Sequence, residues 1–244
     1  MSLENIKVIG FDADDTLWVN ETYFRDAEEA FFQLMADYAS ADELAKELLA
    51  TEIANLEIYG YGVKAFVLSM LETALHMAGN NLPVHIVGKI IELGRHQLNQ
   101  PVELLSNTQK VLEKLYRKYK IIVITKGDLL DQERKLQKSG LLDYFHHIEV
   151  VSEKKQIEYQ RIHRLLDIQP EEFVMIGNSL KSDILPVLEC GSYAIHIPFH
   201  STWIHEKVDV VITDPKFYCY EDILDTLHLF NINSSQSIKA YSYE

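Results

Sequence analysis

The sequence has very little cysteine and no long apolar run. Cys190 and Cys219 are its only cysteines, too few for a disulfide framework, which favours a reducing compartment. No apolar run approaches the ~18 residues that a membrane span requires, and residues 1–7 lack the pattern of a secretory signal. We therefore expect a cytoplasmic protein that does not insert into a membrane.

Basic residues are also scarce, with 23 Lys and Arg against 37 Asp and Glu and a formal net charge of −14. Nucleic acid is not expected as the main partner, because binding to a phosphate backbone requires a basic face. Hydrophobic residues make up 47% of the chain and charged residues 25%, which excludes a disordered or collagenous protein. The length of 244 residues fits one large domain or a core with an insertion, and the oligomeric state is left open.

Hydrophobic periodicity divides the chain into three stretches. Residues 6–11 form a short apolar run typical of a buried strand, and apolar positions then recur at helical spacing from about residue 27 to residue 99. After Pro101, helices alternate with predicted strands at 121–125, 148–151, 173–177, 193–197 and 208–212. The last of these helices, at 180–188, is expected to bend at Pro186 or to begin near it. The pattern predicts an α/β fold, with a parallel sheet covered on both faces and an inserted all-helical segment.

Two aspartates directly follow the first predicted strand. In an extended chain, Asp12 and Asp14 face the same side, with the small Ala13 pointing away. Two neighbouring carboxylates stay ionised only with a cation or strong donors between them. They can therefore form a site for a hard metal such as Mg²⁺ or a nucleophile and acid pair. The alternative is that these acids only stabilise the turn after the strand.

Three further polar segments follow later predicted strands. They are Thr125-Lys126-Gly127-Asp128, Ser152-Glu153-Lys154-Lys155 and the stretch from Gly177 to Asp183. The first offers a hydroxyl and backbone N–H groups of the kind that bind phosphate. The second supplies a cation, and the third supplies another carboxylate. Parallel strands end at one edge of a sheet, so all four segments are expected to converge there.

In this combination of motifs, the sequence resembles the haloacid dehalogenase-like hydrolases over nearly its whole length. Residues 11–17 resemble the Asp-x-Asp-x-Thr motif, and Thr125, Lys154 or Lys155, and Gly177 to Asp183 match the other three motifs. The resemblance implies a Rossmann-like parallel-sheet core domain from residues 1–17 and 100–230. It also implies an inserted all-helical cap domain at 18–99. Residues 231–244, rich in Ser and Asn, are expected to be a flexible tail.

The chain departs from the family pattern at two positions. Asp15 stands where Gly is usual, and Asp tolerates such a turn better than most residues. Asn178 stands where Asp is commoner, which implies a weakened or altered metal affinity. The third motif leaves Lys154 and Lys155 as candidates, and Lys154 is favoured because Tyr159 then falls at the usual distance.

The resemblance implies phosphoryl transfer from a small phosphorylated metabolite through an aspartyl-phosphate. Asp12 would be the nucleophile, and Asp14 the acid that protonates the leaving oxygen and then the base that activates water. The implied Mg²⁺ ligands are Asp12, Asp183, the backbone carbonyl of Asp14, and Asn178 through its amide oxygen or a water. The expected phosphate-binding residues are Thr125, Lys126 and Lys154.

Other functions remain open at this point. A phosphomutase on the same scaffold needs a cap that excludes water, and no sequence feature distinguishes it from a phosphatase. A non-catalytic binding protein is supported only by Asn178. A dehalogenase needs no acid at position 14, so Asp14 favours a phosphate ester.

The segment from Tyr59 to Lys64 is the candidate for substrate specificity. Tyr59 and Tyr61 alternate with glycines ahead of a strong helix, so the loop can shape itself over a substrate, and Lys64 can meet a second anionic group. The alternative is an ordinary connection between helices with surface tyrosines.

Overall fold

The computed structural model describes residues 3–232. Six parallel strands form one sheet: β1 (Val8–Phe11), β2 (Lys120–Lys126), β3 (His147–Val151), β4 (Phe173–Gly177), β5 (Tyr193–His196) and β6 (Phe217–Cys219). Their spatial order is β3-β2-β1-β4-β5-β6. The short β1 therefore lies in the middle, paired with β2 on one side and β4 on the other, and its end lies between theirs.

Alternation along the strands builds a separate apolar core on each face of the sheet. Ile9 and Phe11 of β1 contribute to one cluster, and Val8 contributes to the other. Gly10 lies between Ile9 and Phe11 in the strand, and a β-carbon added to it would stand 2.7 Å from the Phe173 ring. All four residues of β1 are buried, as expected for a central strand covered on both faces.

The inserted segment is a four-helix cap with its own apolar core. Its helices are α1 (Glu21–Leu34), α2 (Ala41–Tyr59), α3 (Val63–Ala78) and α4 (Val84–Leu98). Ser40 begins α2 in a capping box with Glu43, which satisfies free N–H groups of the first turn. Phe31, Leu48 and Met70 belong to a third cluster made only of cap residues, so the cap is packed as a unit. The predicted α/β fold with an inserted helical domain is confirmed.

Four helices connect the strands of the core. They are α5 (Thr108–Leu115), α6 (Leu129–Ser139), α7 (Gln156–Leu166) and α8 (Leu185–Glu189). A π-helical turn at Leu180–Ile184 precedes α8, and Pro186 lies in the first turn of α8, where its missing N–H costs nothing. Within residues 3–232, no helix is long and apolar enough to cross a membrane.

The predicted strand at 208–212 is wrong. Those residues form no strand, and the place beside β5 belongs to Phe217–Cys219. Val211 is 88% exposed, whereas Phe217 and Tyr218 pack against the two core clusters, so the sheet edge selects the segment with the aromatic side chains. Of the predicted tail, Ile232 is buried against the first cluster, and residues 233–244 lie outside the described residues.

Candidate active site

Asp12 lies at the carboxyl end of the central strand. Its backbone N–H donates to the carbonyl of Ile176 at 2.9 Å, which continues the pairing of β1 with β4. The hydroxyl of Thr16 donates to Oδ2 of Asp12 at 2.9 Å. Asp12 is only 6% exposed, and burial, followed by the charges of Asp183 and Asp14, raises its pKa against the opposing effect of Lys154. This carboxylate therefore stays ionised only with a cation close to it.

Lys154 supplies such a cation. Its Nζ lies 2.5 Å from Oδ1 of Asp12 and 2.7 Å from Oδ1 of Asp183, and its side chain is 1% exposed. Burial alone lowers the pKa of Lys154, but the two carboxylates outweigh burial and raise it, so the ammonium form persists. The other candidate, Lys155, is exposed at the start of α7. The structure thus places Lys154 at the ends of the strands.

The fourth motif brings Asp183 to the same point. Oδ2 of Asp183 accepts from the backbone N–H of Ser179 at 3.0 Å. Gly177 leaves room for this carboxylate, because a β-carbon at position 177 would collide with it. Asn178 faces the first motif, with its Oδ1 3.3 Å from the Thr16 hydroxyl.

Asp14 lies in the same cavity but has different partners. Its carboxylate accepts from Trp18 Nε1 at 2.7 Å, Gln132 Nε2 at 2.8 Å and Lys135 Nζ at 2.9 Å. Three donors, one of them charged, fix the orientation of this carboxylate. Only the backbone carbonyl of Asp14, and not this carboxylate, is expected to bind a metal.

Asp15 explains how the chain dispenses with the usual glycine. It adopts φ 63°, a left-handed conformation that Asp tolerates through local hydrogen bonds. Its carboxylate accepts from the N–H groups of Asn20 and Glu21, at 2.8 and 3.0 Å. Asp15 therefore caps the first turn of α1 and ties the cap to the first motif.

The second motif contributes Thr125 and Lys126. Thr125 is buried and lines the cavity. Lys126 forms an ion pair with Glu206 at 2.6 Å and lies 4.1 Å from the centre of the Tyr61 ring. Burial raises the pKa of Glu206, but Lys126 and the hydroxyls of Ser179 and Ser182 outweigh it and lower the pKa to about 2.

The sequence reasoning missed Glu206, although a signal for it exists. Glu206 lies in a short helical turn at Ile204–Glu206, in the loop that follows β5. The other motifs are polar residues that follow the end of a strand, and Glu206 likewise lies in a polar segment after the end of β5.

The predicted specificity residues separate in space. The Tyr61 hydroxyl donates to Glu153 at 2.9 Å, its ring packs edge-on against Trp203, and it lines the cavity. Lys64 pairs with Asp128 at 2.9 Å, and Tyr59 bonds to Glu72 within the cap. Tyr59 and Lys64 do not line the cavity, so Tyr61 is the one of the three that faces it.

The donor set at the strand ends suits a hard divalent cation. Mg²⁺ is usually held by one or two carboxylates together with substrate phosphate. Asp12 and Asp183 provide two carboxylates, and Asn178 provides an amide oxygen beside Thr16. Within residues 3–232, no group of three or more His, Cys, Asp or Glu is arranged to hold a metal ion. The residues therefore fit a site of two carboxylates that amide and substrate oxygens complete.

One cavity of about 180 Å³ joins these groups to the cap. Asp12, Thr125, Lys154 and Asp183 line its core end, and Glu28, Glu52 and Phe66 line its cap side. Ligand sites of this kind lie where the carboxyl ends of parallel strands meet an insertion.

Fold and site together define a Rossmann-like enzyme core with a helical cap over its acidic end. A family model of haloacid dehalogenase-like hydrolases matches residues 6–191, and the chain belongs to this family. A family hydrolase from Xanthomonas campestris has a similar structure, with TM-score 0.81 and 39% identity over 89% of this chain and 87% of that one.

Other relatives are more distant. The chain is 27% identical over 202 residues to a glyceraldehyde 3-phosphate phosphatase from Methanothermobacter thermautotrophicus, covering 78% of this chain and 84% of that protein. A hydrolase of the family from Bacillus subtilis, solved bound to magnesium, shares the fold with TM-score 0.63 and 16% identity. That match covers 94% of this chain and 100% of the other.

Proposed function

We propose that the protein is a Mg²⁺-dependent phosphatase that removes phosphate from a small phosphorylated metabolite. The observation that carries this proposal is the convergence of Asp12, Lys154 and Asp183 within hydrogen-bonding distance at the end of the sheet. Relatives that are phosphatases of small metabolites support it.

In the first step, Asp12 attacks phosphorus. A bond forms between a carboxylate oxygen of Asp12 and phosphorus, the bond to the leaving oxygen breaks, and Asp14 gives a proton to that oxygen. In the second step, water attacks phosphorus while Asp14 accepts its proton. The bond to Asp12 then breaks, and inorganic phosphate leaves.

The surrounding residues hold the charge that builds up on the phosphoryl group. Thr125 donates a hydrogen bond, and Lys154, with Lys126, offsets negative charge in a site shielded from water. Asp12, Asp183, Asn178 and the carbonyl of Asp14 would hold Mg²⁺, which supplies charge neutralisation between the two anions. The cytoplasmic location stays a prediction from the scarcity of cysteine.

The experiment measures release of inorganic phosphate from p-nitrophenyl phosphate and from a panel of metabolite phosphates, with Mg²⁺ and with a chelator. We expect turnover that requires Mg²⁺, and its loss in Asp12→Asn with the fold intact by circular dichroism. Asp37→Asn, at an exposed position of the cap, is the matched control.

Other results would redirect the proposal. Phosphate that returns to the substrate at another position, without net release, would identify a phosphomutase. Absence of Mg²⁺-dependent turnover across the whole panel would favour a binding protein that retains the fold.

A further inference from the structure

Three glutamates line the cap side of the cavity, and Arg25, which is not part of the lining, pairs with two of them. Arg25 pairs with Glu21 at 2.6 Å and with Glu28 at 2.7 Å, so one guanidinium serves two carboxylates on α1. Glu52 of α2 lines the same cavity as Glu21 and Glu28, and its side chain has no hydrogen bond or ion pair with any residue in 3–232.

The electrostatics of Glu52 show that it lacks a cation. Burial and the charges of Glu28 and Glu21 together raise its pKa to about 8, against the opposing effect of Arg25. The pKa of Glu21 is raised to about 7, also chiefly by burial. Arg25 pairs with Glu21 and Glu28, and the charge of Lys207 also acts on Glu21. Neither cation pairs with Glu52, so Glu52 is the carboxyl group of this wall that a bound cation would stabilise most.

Gln132 is a second cavity residue with an unpartnered acceptor. It is 2% exposed and lines the cavity. Its Nε2 donates to Asp14 and to the carbonyl of Lys126, which fixes the orientation of the amide because both partners are acceptors. Its Oε1 is left without a partner among the described residues. A buried acceptor of this kind is costly unless a donor reaches it.

The cations of the cavity are already engaged. Within the described residues, nine carboxyl groups and three lysines line it. Lys154 forms ion pairs with Asp12 and Asp183. Lys135 pairs with Asp14, and Lys126 pairs with Glu206. A second anionic group on a substrate would therefore meet repulsion on the cap side of the cavity, whereas a cation would meet attraction.

We propose that the organic part of the substrate carries a protonated amine, which Glu52 binds on the cap side while the phosphate occupies the strand ends. This inference rests on the proposed function, because it assigns the substrate class of the same cavity. Glu21 and Glu28 lie seven residues apart on α1, about 10 Å along the helix, so the acidic wall spans a length that an extended chain can follow. The amine belongs on an extended alkyl or sugar chain.

Binding of non-hydrolysable phosphonates tests this substrate class independently of turnover. The probes are aminoalkyl phosphonates from 2-aminoethylphosphonate to 5-aminopentylphosphonate, with alkyl, hydroxyalkyl and carboxyalkyl phosphonates of matched length, titrated calorimetrically with Mg²⁺ present. We expect the best aminoalkyl probe to bind at least about tenfold more tightly than its alkyl match, and the carboxyalkyl probe to bind most weakly.

Two variants locate the effect. Glu52→Gln keeps the shape of the side chain but cannot release a proton to pair with a bound ammonium group, so the preference for the amine should fall to about threefold or less. Glu57→Gln, an exposed position on the same helix outside the cavity, should keep the full preference. The unfolding midpoint of each variant shows that it is folded.

The outcomes separate this inference from the proposed function. Equal binding of amine, hydroxyl and alkyl probes, tighter binding of the carboxylate, or an unchanged preference in Glu52→Gln would overturn the amine. If p-nitrophenyl phosphate is still hydrolysed in that case, the proposed function stands. If amines are preferred but no ester is hydrolysed, the cavity binds aminoalkyl phosphates without cleaving them, and the proposed function fails instead.

Discussion

The ammonium group of Lys154 lies between two carboxylates, 2.5 Å from Asp12 and 2.7 Å from Asp183. Replacing Lys154 by Met leaves both carboxylates buried without their cation. Removal of one partner from a buried ion pair typically costs about 3–5 kcal/mol. We therefore expect Lys154→Met to lower the free energy of unfolding by about that amount, measured by urea denaturation, and to abolish phosphate release.

Lys155→Met is the matched control for this change. Lys155 is exposed, and substitutions at such positions usually change stability by about 0.5 kcal/mol or less. If Lys155→Met instead reproduced the losses of Lys154→Met, the assignment of the catalytic lysine to position 154 would be wrong.

The elements that place the site follow from the sequence because they depend on local patterns. Apolar runs ending in polar residues mark β1, β2 and β4, and parallel strands deliver Asp12, Thr125 and Asp183 to one edge. The helical insert is equally plain from its periodicity. The wrong strand at 208–212 shows the limit, because the valine run has the right local composition but the place beside β5 is decided by packing against both cores.

The sequence also does not predict which side chains contact one another. The sequence gives a charged residue at 206, but its ion pair with Lys126 spans 80 positions. Likewise, Tyr59 and Tyr61 have the same local setting, and only the approach of the cap to the core puts Tyr61 over Lys126. Such contacts depend on the tertiary arrangement of domains, which periodicity does not encode.

The ring of Tyr61 should influence substrate affinity through Lys126. Tyr61→Ala removes the ring and its cation–π contact, which is worth about 0.5–2 kcal/mol, so KM for p-nitrophenyl phosphate should rise by roughly two- to thirtyfold. Tyr61→Phe loses only the hydrogen bond to Glu153 and should stay within about threefold of the unaltered protein. Tyr59→Ala should leave KM unchanged, and an equal rise in Tyr59→Ala and Tyr61→Ala would refute a specific role for Tyr61.

The ion pair between Lys126 and Glu206 should make the free energy of unfolding depend on pH in the acid range. The folded pKa of Glu206 is about 2, below its ordinary 4.5. A carboxyl with a lowered pKa contributes stability that is present above 4.5 and is lost as the pH falls towards 2. The shift corresponds to about 3 kcal/mol. Glu206→Gln should therefore be less stable than the unaltered protein by about that amount at neutral pH, and the difference should shrink as the pH falls from about 4.5 to about 2.

Urea denaturation of both proteins across that acid range measures the difference directly. Other carboxyl groups titrate there as well, but they do so in both proteins, so their contribution cancels in the comparison. A difference in unfolding free energy that stays constant from neutral pH to pH 2 would mean that Glu206 is not held ionised by Lys126.

Glu52 should have the opposite effect on stability. Its folded pKa is raised to about 8 by burial and by the charges of Glu28 and Glu21, against Arg25. Between pH 4.5 and pH 8 the unfolded chain has released this proton and the folded chain still holds it, so stability falls as the pH rises. Glu52→Gln should match the unaltered protein near pH 4.5 and exceed its unfolding free energy by on the order of 1–3 kcal/mol near pH 8.5.

The comparison with Glu57→Gln on the same helix distinguishes burial from a general loss of negative charge. Glu57 is exposed, so its substitution should give an offset that is small and nearly the same at pH 4.5 and pH 8.5. A saturating aminoalkyl phosphonate should reduce the destabilisation at high pH in the unaltered protein, because its ammonium group supplies the charge that Glu52 lacks. An equal gain from the alkyl phosphonate would show that phosphate binding alone, without the amine, stabilises the fold.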